Sequence, residues 1–429
     1  VVAPPTIAAV DPPVTVAPAK IKPLATAAGK VPTAAGVSAI LAPVLANPGL
    51  SKYTGVVIDA ATGKVLWDHT STTASQPAST MKLLTAAALL TKVDPASRFV
   101  TKLVQGAQPG DIVFVGGGDV TLSARATGVS TPYIGAPTVA DLAAQVVASG
   151  YQVKRIVLDT GYWTGSDYAE GWDNGDIAQG FVTHMQSLMV DGDRKDPAAE
   201  DSPRTGTPAV TAGNALARAL GDTSLPVTSG TAAAGAKVLA KVSSQPMPVL
   251  LNQALLNSDN VLAEALARQV AIALGGTPSF NGAAQAVNIA LQDLKIDTSG
   301  LLMVDGSGLS HSDRAPVSLL ANVMAAAVSG RVPGLRSLLT GLPVAGVSGT
   351  LSIAASRFLT PASKNGIGWV RAKTGSVDFT YALVGYVPDV DGRVLVFGLN
   401  SNGVFASGPK ATRPAQDDFA AALRGCGCG

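Results

Sequence analysis

At 429 residues, with 47% apolar and 14% charged side chains, the chain is long enough for two or three domains with buried cores and is not disordered as a whole. A formal charge of +2 gives no reason to expect nucleic acid or a strongly acidic partner. No apolar run approaches the length of a membrane-spanning helix, and the three histidines, His69, His184 and His311, are scattered without metal-binding spacing.

Residues 1–34 are Pro, Ala, Val and Thr with almost no periodicity, an expected extended linker of the kind that holds a catalytic domain away from an anchor. A first residue of Val1 rather than Met fits a chain from which an export or anchor segment is missing. Val37, Ile40, Leu41, Val44 and Leu45 then recur at helical spacing. Residues 53–59 and 64–68 read as two strands of a hairpin across Ala60-Ala61-Thr62-Gly63.

Gln76-Pro77-Ala78-Ser79-Thr80-Met81-Lys82 follows, continuing into an apolar run to Leu90. Pro77 fixes the backbone ahead of a helix expected to begin near Ser79, and a helix apolar on nearly every face is one buried inside a domain. Ser79 and Lys82, three apart, share a face of its first turn. Desolvation lowers a lysine pKa, and a neutral amine can take a serine proton. Alone, the pair reads more readily as a helix cap with a surface lysine, and an S-x-x-K is expected about once by chance in such a chain. A second one, Ser407-Gly408-Pro409-Lys410, cannot be helical.

After Asp94-Pro95, short apolar runs at 99–103, 112–115 and 156–158 alternate with turns, and a helix is expected over 139–148. Gly116-Gly117-Gly118 is read as a turn, because Thr121 stands where a dinucleotide-binding loop needs a third glycine. Residues 191–208 are charged and loop-like. The block 97–245 is expected to be an inserted mixed domain that presents substrate without taking part in the chemistry, so that cutting its 191–208 stretch leaves the reaction measurable. Helices are expected over 248–256, 261–274, 282–294 and 316–327, interrupted at Ser258-Asp259-Asn260 and at the glycine-punctuated Asp305-Gly306-Ser307-Gly308-Leu309-Ser310. Strands at 369–372, 380–387 and 394–399, the last two joined by a turn at 388–392, are expected to join the early hairpin in one antiparallel sheet. A helix at 419–423 ends the body, which thus comprises 35–96 and 246–424. In the tail, 425–429, Cys426 and Cys428 are close enough to form only a local disulfide.

Lys373-Thr374-Gly375-Ser376 ends the first late strand. Such an edge can bind substrate as an added strand: Gly375 admits a second backbone, Thr374 and Ser376 donate to a carboxylate, and Lys373 adds charge. The sequence argues against a Ser-His-Asp hydrolase, because no G-x-S-x-G occurs and no histidine stands beside a candidate serine. S-x-x-K, S-D-N and K-T-G in this order make up the trio of penicillin-binding proteins and class A β-lactamases.

Together with 114–122, 305–310 and 342–351, the trio resembles the D-alanyl-D-alanine carboxypeptidase/endopeptidase group of low-molecular-mass, class C penicillin-binding proteins, over residues 36–423. The resemblance implies an α+β, penicillin-binding/serine β-lactamase-like transpeptidase fold, an antiparallel sheet between helices with an inserted mixed domain. It implies Ser79 as acylated nucleophile, Lys82 as its base, and Ser258 as proton relay to the leaving amine. Asn260 would hold the substrate amide, and Lys373 would tune Ser258 and attract the terminal carboxylate bound by Thr374 and Ser376 beside Gly375. The backbone N–H groups of Ser79 and Ser376 would form the oxyanion hole. The implied substrates are peptidoglycan stem peptides outside the cytoplasm, with β-lactam antibiotics as inhibitors and no cofactor or metal; carboxypeptidase and endopeptidase action both remain open.

A β-lactamase needs an efficient deacylating base, and Glu170-Gly171-Trp172-Asp173-Asn174 mimics one but precedes Ser258 instead of following it. A catalytically weak wall-binding scaffold with the same fold is the non-enzymatic alternative; an intact Lys82 argues against it. The sequence departs from the group where an Arg-x-Asn is common, since His311, Ser312 and Asp313 stand there. Asp159 resembles an aspartate of the inserted region that would pair the amine of the stem-peptide side chain, leaving His311 as a weaker, pH-dependent partner for its carboxylate.

Overall fold

The computed structural model describes residues 29–403 and 411–429. Most of the expected linker, and the second S-x-x-K at 407–410, lie outside these residues.

Helix α1 (Ala34–Leu45) starts at Thr33, whose side chain accepts from Gly36 N, and leads into the hairpin β1 (Lys52–Asp59) and β2 (Val65–His69). A short β3 (Ala74–Ser75) precedes a 3-10 turn at Ala78–Met81 and helix α2 (Lys82–Lys92). Next come β4 (Val100–Gln105), β5 (Asp111–Val115), α3 (Val139–Ala148), β6 (Arg155–Asp159), the single turn α4 (Asp176–Gln179), α5 (Pro208–Ala219), β7 (Val227–Ser229) and β8 (Val238–Ser243). The chain then continues through α6 (Met247–Leu256), α7 (Asn260–Ala273), α8 (Phe280–Asp293), β9 (Ala315–Pro316) and α9 (Val317–Ser329). It closes with β10 (Arg371–Val377), β11 (Thr380–Pro388), β12 (Val394–Asn402) and α10 (Thr412–Arg424).

The late strands and the early hairpin form one antiparallel sheet in the order β10-β11-β12-β1-β2, as the sequence suggested. Side chains alternate between the faces of a strand, and the cores follow that alternation. Val56, Ile58, Val384 and Val396 face a core shared with α2, α7 and α9, whereas Val57, Leu383, Leu395 and Phe397 face another shared with α1 and α10. Helix α2 lies wholly in the first core, with every residue from Leu83 to Leu89 buried, which is why its sequence is apolar on all sides. Helices α3 and α5 pack on a second five-stranded sheet, order β7-β6-β5-β4-β8, with a core of its own around Phe114, Ile156, Leu142 and Leu216.

Three expectations need correction. Strand β10 begins at Arg371, so Lys373-Thr374-Gly375-Ser376 lies within the strand and not at its end. Strands β7 and β8 and helix α5 stand where the sequence predicts no element. Residues 191–208 are irregular up to α5, as expected of a loop, but the loop is not solvated throughout: Asp191, Asp193, Arg194 and Arg204 are buried. Arg194 Nε donates to Glu200 O at 3.0 Å and Arg204 Nη1 to Gly192 O at 2.6 Å. The charges are there to satisfy a tightly folded backbone.

Cys426 and Cys428 are joined in a disulfide, and Cys428 O accepts from Thr33 N at 3.0 Å. The tail therefore runs back along the start of α1.

Candidate active site

Ser79 lies in the 3-10 turn and Lys82 is the first residue of α2, so one turn of backbone carries both. Ala78 just ahead has φ +49°, a left-handed conformation rare outside glycine, and glycines surround it. A Cβ on Gly375 would lie 2.8 Å from Pro77 O and 3.1 Å from Ala78 Cβ, so β10 can approach the Ser79 turn only without one.

Lys82 Nζ donates to Ser79 Oγ at 2.8 Å, Asn260 Oδ1 at 2.6 Å and Ser307 O at 2.8 Å. Burial lowers its pKa to about 8, against the pull of Asp305, Asp259, Glu264 and Asp313. The acceptor Ser307 O is fixed from below. Glu264 Oε1 accepts from Gly306 N at 2.7 Å and Ser307 N at 2.8 Å, and Asp305 Oδ2 accepts from Ser310 N at 2.7 Å and Trp172 Nε1 at 2.6 Å. Glu264 also accepts from Arg268 Nη1 at 3.2 Å, and so it shapes the loop that holds Lys82.

Ser258 receives a hydrogen bond from Lys373 Nζ at 2.8 Å, and Lys373 also donates to Thr374 O at 2.8 Å. Burial, and then the nearby Lys82, push the Lys373 pKa well down. Ser258 has φ +59°. The next residue, Asp259, caps α7 by accepting from Leu262 N at 2.8 Å, while its other oxygen accepts from Tyr133 Oη at 2.8 Å and Arg194 Nη2 at 3.2 Å. Burial raises its pKa, but Arg194 and Arg204 outweigh that and hold it below its ordinary value. Asn260 Nδ2 donates to Phe181 O at 3.0 Å. The S-D-N motif is thus gripped from the segment around 181–204.

Two cavities open on Ser79. One, of about 540 Å³, is lined by Asp173, Asp176, Phe181, Asn260, His311 and Asp378. The other, of about 240 Å³, is lined by Ser258, Thr350, Thr374, Ser376, Tyr381 and Arg413. Thr374 Oγ1 lies 2.7 Å from Thr350 Oγ1, and Ser376 Oγ accepts from Arg413 at 3.3 Å.

His311 does reach the first cavity, with Nε2 3.0 Å from Asp173 Oδ2 and Nδ1 3.2 Å from Gln76 Nε2. Asp159 does not. It ends β6 as a cap, its two oxygens accepting from Gly161 N at 2.9 Å and Ala232 N at 2.8 Å. The carboxylates that line the cavity are Asp173, Asp176 and Asp378, which the sequence reading did not select. Asp173, His311 and Asp378 offer ligand atoms within 4.8 Å of one another, the one such group among the described residues. Glu170, the mimic of a deacylating base, is exposed and lends only its backbone carbonyl to Ser310 Oγ.

Comparison with known proteins supplies the lineage. The chain is 45% identical over 401 residues to "Carboxypeptidase DacB" of Mycolicibacterium smegmatis, covering 93% of this chain and 86% of that one. Its fold is similar to that of penicillin binding protein 4 (dacB) from Haemophilus influenzae, at a TM-score of 0.72 and 21% identity, over 90% of this chain and 97% of the other. The same protein complexed with a β-lactam matches at a TM-score of 0.67 and 20% identity, with equal coverage. A family model matches residues 37–209 and 198–423. The chain belongs to the D-Ala-D-Ala carboxypeptidase 3 (S13) family.

Proposed function

We propose that Ser79 is the nucleophile with which this serine-type D-Ala-D-Ala carboxypeptidase forms an acyl-enzyme, acting outside the cytoplasm on peptidoglycan stem peptides. The observation that carries the assignment is the 2.8 Å contact between Ser79 Oγ and the fully buried Lys82 Nζ, whose pKa is lowered to about 8. Neutral Lys82 takes the Ser79 proton while Oγ bonds to the carbonyl carbon of the penultimate D-alanine. The oxyanion is received by the backbone N–H groups of Ser79 and Ser376. As the C–N bond breaks, the proton taken by Lys82 passes through Ser258 to the leaving amine, which leaves Lys82 neutral again; Lys373 donates to Ser258 and orients it. Water, deprotonated by Lys82, then cleaves the ester and restores Ser79.

A β-lactam enters by the same attack, but its cleaved amine stays tethered and the ester persists, so β-lactams inhibit. Asn260, fixed between Lys82 and Phe181 O, is suited to hold the substrate amide. Residues 97–245 wall the groove as an inserted block: its second sheet with α3 and α5 has a core of its own, while Val120, Tyr133, Trp163, Trp172 and Met185 pack into the core shared with α2 and α7. No helix among the described residues is long and apolar enough to cross a membrane.

The test is release of D-alanine from a peptide ending in D-Ala-D-Ala, together with mass mapping of a penicillin adduct. The adduct is expected on the peptide containing Ser79 and is expected to vanish in Ser79→Ala. An adduct on Ser258, or D-alanine release that survives Ser79→Ala, overturns the assignment.

A further inference from the structure

Substrate for the proposed reaction carries a carboxylate next to the amine that leaves. Hydroxyls alone do not offset the cost of taking that charge out of water; a cation is needed. The smaller cavity beside Ser79 has three to consider. Arg357 is committed, its Nε donating to both oxygens of the buried Asp417 at 3.0 and 3.1 Å. Lys373 borders the cavity only through Ser258 and Thr374, and its charge is disfavoured by burial.

Arg413 differs. It stands exposed in the first turn of α10, with Nη2 donating to Ser376 Oγ at 3.3 Å and its guanidinium carbon 5.6 Å from the centre of the Tyr381 ring. Ser376 and Tyr381 are directly opposed in the β10–β11 ladder, so their side chains share one face of the sheet, and Arg413 lies over that pair. The helix is pinned there by Gln416 Nε2 donating to Tyr381 O at 2.8 Å and Thr412 Oγ1 to Gly49 O at 2.7 Å. None of the contacts given for Arg413 among the described residues is to a carboxylate. Its remaining donors are left for a ligand in the cavity that Ser79, Thr374 and Ser376 also line.

We propose that Arg413 is a specificity-determining residue that pairs with the free carboxylate beside the leaving amine, forming a three-point site with Thr374 and Ser376. A peptide added along the edge of β10 advances about 3.3 Å per residue. One residue past a carbonyl held at Ser79, its carboxylate falls among these groups, where a planar guanidinium can take both oxygens. The enzyme therefore selects substrates whose leaving residue is a free acid over those in which it is amidated or esterified. This inference rests on the Ser79 acyl-enzyme reading.

The test uses the full chain with four probes: an N-acylated L-Lys-D-Ala-D-Ala, its C-terminal amide, benzylpenicillin and benzylpenicillin methyl ester. The unaltered enzyme is expected to favour each acid over its neutral twin. Arg413→Gln is expected to lower kcat/KM for the acid peptide, and acylation by the penicillin acid, about 10–100-fold. For the peptide the loss should appear mainly in KM, so that the acid-to-neutral ratio collapses, and Arg413→Lys should restore part of it. Equal losses on acid and neutral probes, or an unchanged ratio, overturn Arg413 as the partner of the carboxylate and leave the Ser79 reading standing. Failure of the unaltered enzyme to hydrolyse the peptide or to be acylated by penicillin overturns the Ser79 reading, and Arg413 with it.

Discussion

Lys82 has three acceptors within 2.8 Å and is almost wholly out of water. With a pKa of about 8, roughly a tenth of it is neutral at pH 7. Penicillin acylation of Ser79 should therefore rise about tenfold per pH unit below that point and level off above it. A rate flat from pH 6 to 9 in stopped-flow measurements would remove Lys82 as the base. The same burial bears on stability. The folded pKa lies below the 10.5 of an exposed lysine, so the unfolded chain binds this proton more readily, and the residue's contribution to stability grows as pH rises from about 8 to 10.5. Lys82→Met should abolish acylation without lowering the melting temperature at pH 7.

Asp159 and Asp176 make a contrasting pair. Asp159→Ala strips two backbone amides of their acceptor, and a loss of about 1–3 kcal/mol in denaturant melts is expected, with peptide preference unchanged. Asp176 lines the groove, and its pKa is raised by partial burial and by the charge of Asp173. Asp176→Asn should raise KM for a stem peptide with a free side-chain amine more than for one without. Equal KM changes on the two peptides would take Asp176 out of recognition.

At the level of elements, the stretch 191–208 is more tightly held than its sequence suggests. Rich in charge and turn formers, it reads as a solvated loop, because local pattern carries no record of a partner far along the chain. Four of its charged residues, Asp191, Asp193, Arg194 and Arg204, are instead turned inward, and Arg194 pairs with Asp259, their side chains 4% and 7% exposed. Asp259 anchors the residue that follows Ser258, which itself holds a left-handed backbone conformation that surroundings must enforce. Arg194→Gln should cost about 3–5 kcal/mol, as loss of one partner of a buried pair does, and should slow penicillin acylation along with it. A proteolytic nick at 191–208 should likewise reduce acylation instead of sparing it. Normal acylation by a folded Arg194→Gln enzyme would show that Asp259 needs no such grip.

At the scale of the whole molecule, the central sheet and its helices were legible because their signals are local. Period-two and period-3.6 patterns mark the strands and helices, and Pro77, Gly306 and Gly308 mark where chain direction changes. Ser79, Lys82, Ser258, Asn260 and Lys373 are legible as motifs, and the fold brings them together as two hydrogen-bonded sets, Ser79–Lys82–Asn260 and Ser258–Lys373. Asp173, Asp176 and Arg413 were not, because a groove assembled from 173–181, 374–381 and α10 exists only after long-range packing. Strand β7 is three residues long with one apolar side chain, and β8 runs Val238, Leu239, Ala240 in succession, so neither shows a period of two.

The pairing of Cys428 O with Thr33 N has a topological consequence. With Gly429 packed against Lys30, the first and last of the described residues lie side by side. The order of synthesis is then separable from the architecture. A circular permutant joining Gly429 to Lys30 by a few glycine and serine residues, and reopened at the uncrowded Gly235 turn, should fold and still be acylated at Ser79. Labelling by a fluorescent penicillin would read this directly, and a permutant that stays soluble but unlabelled would show that the order of segments along the chain matters to the groove after all.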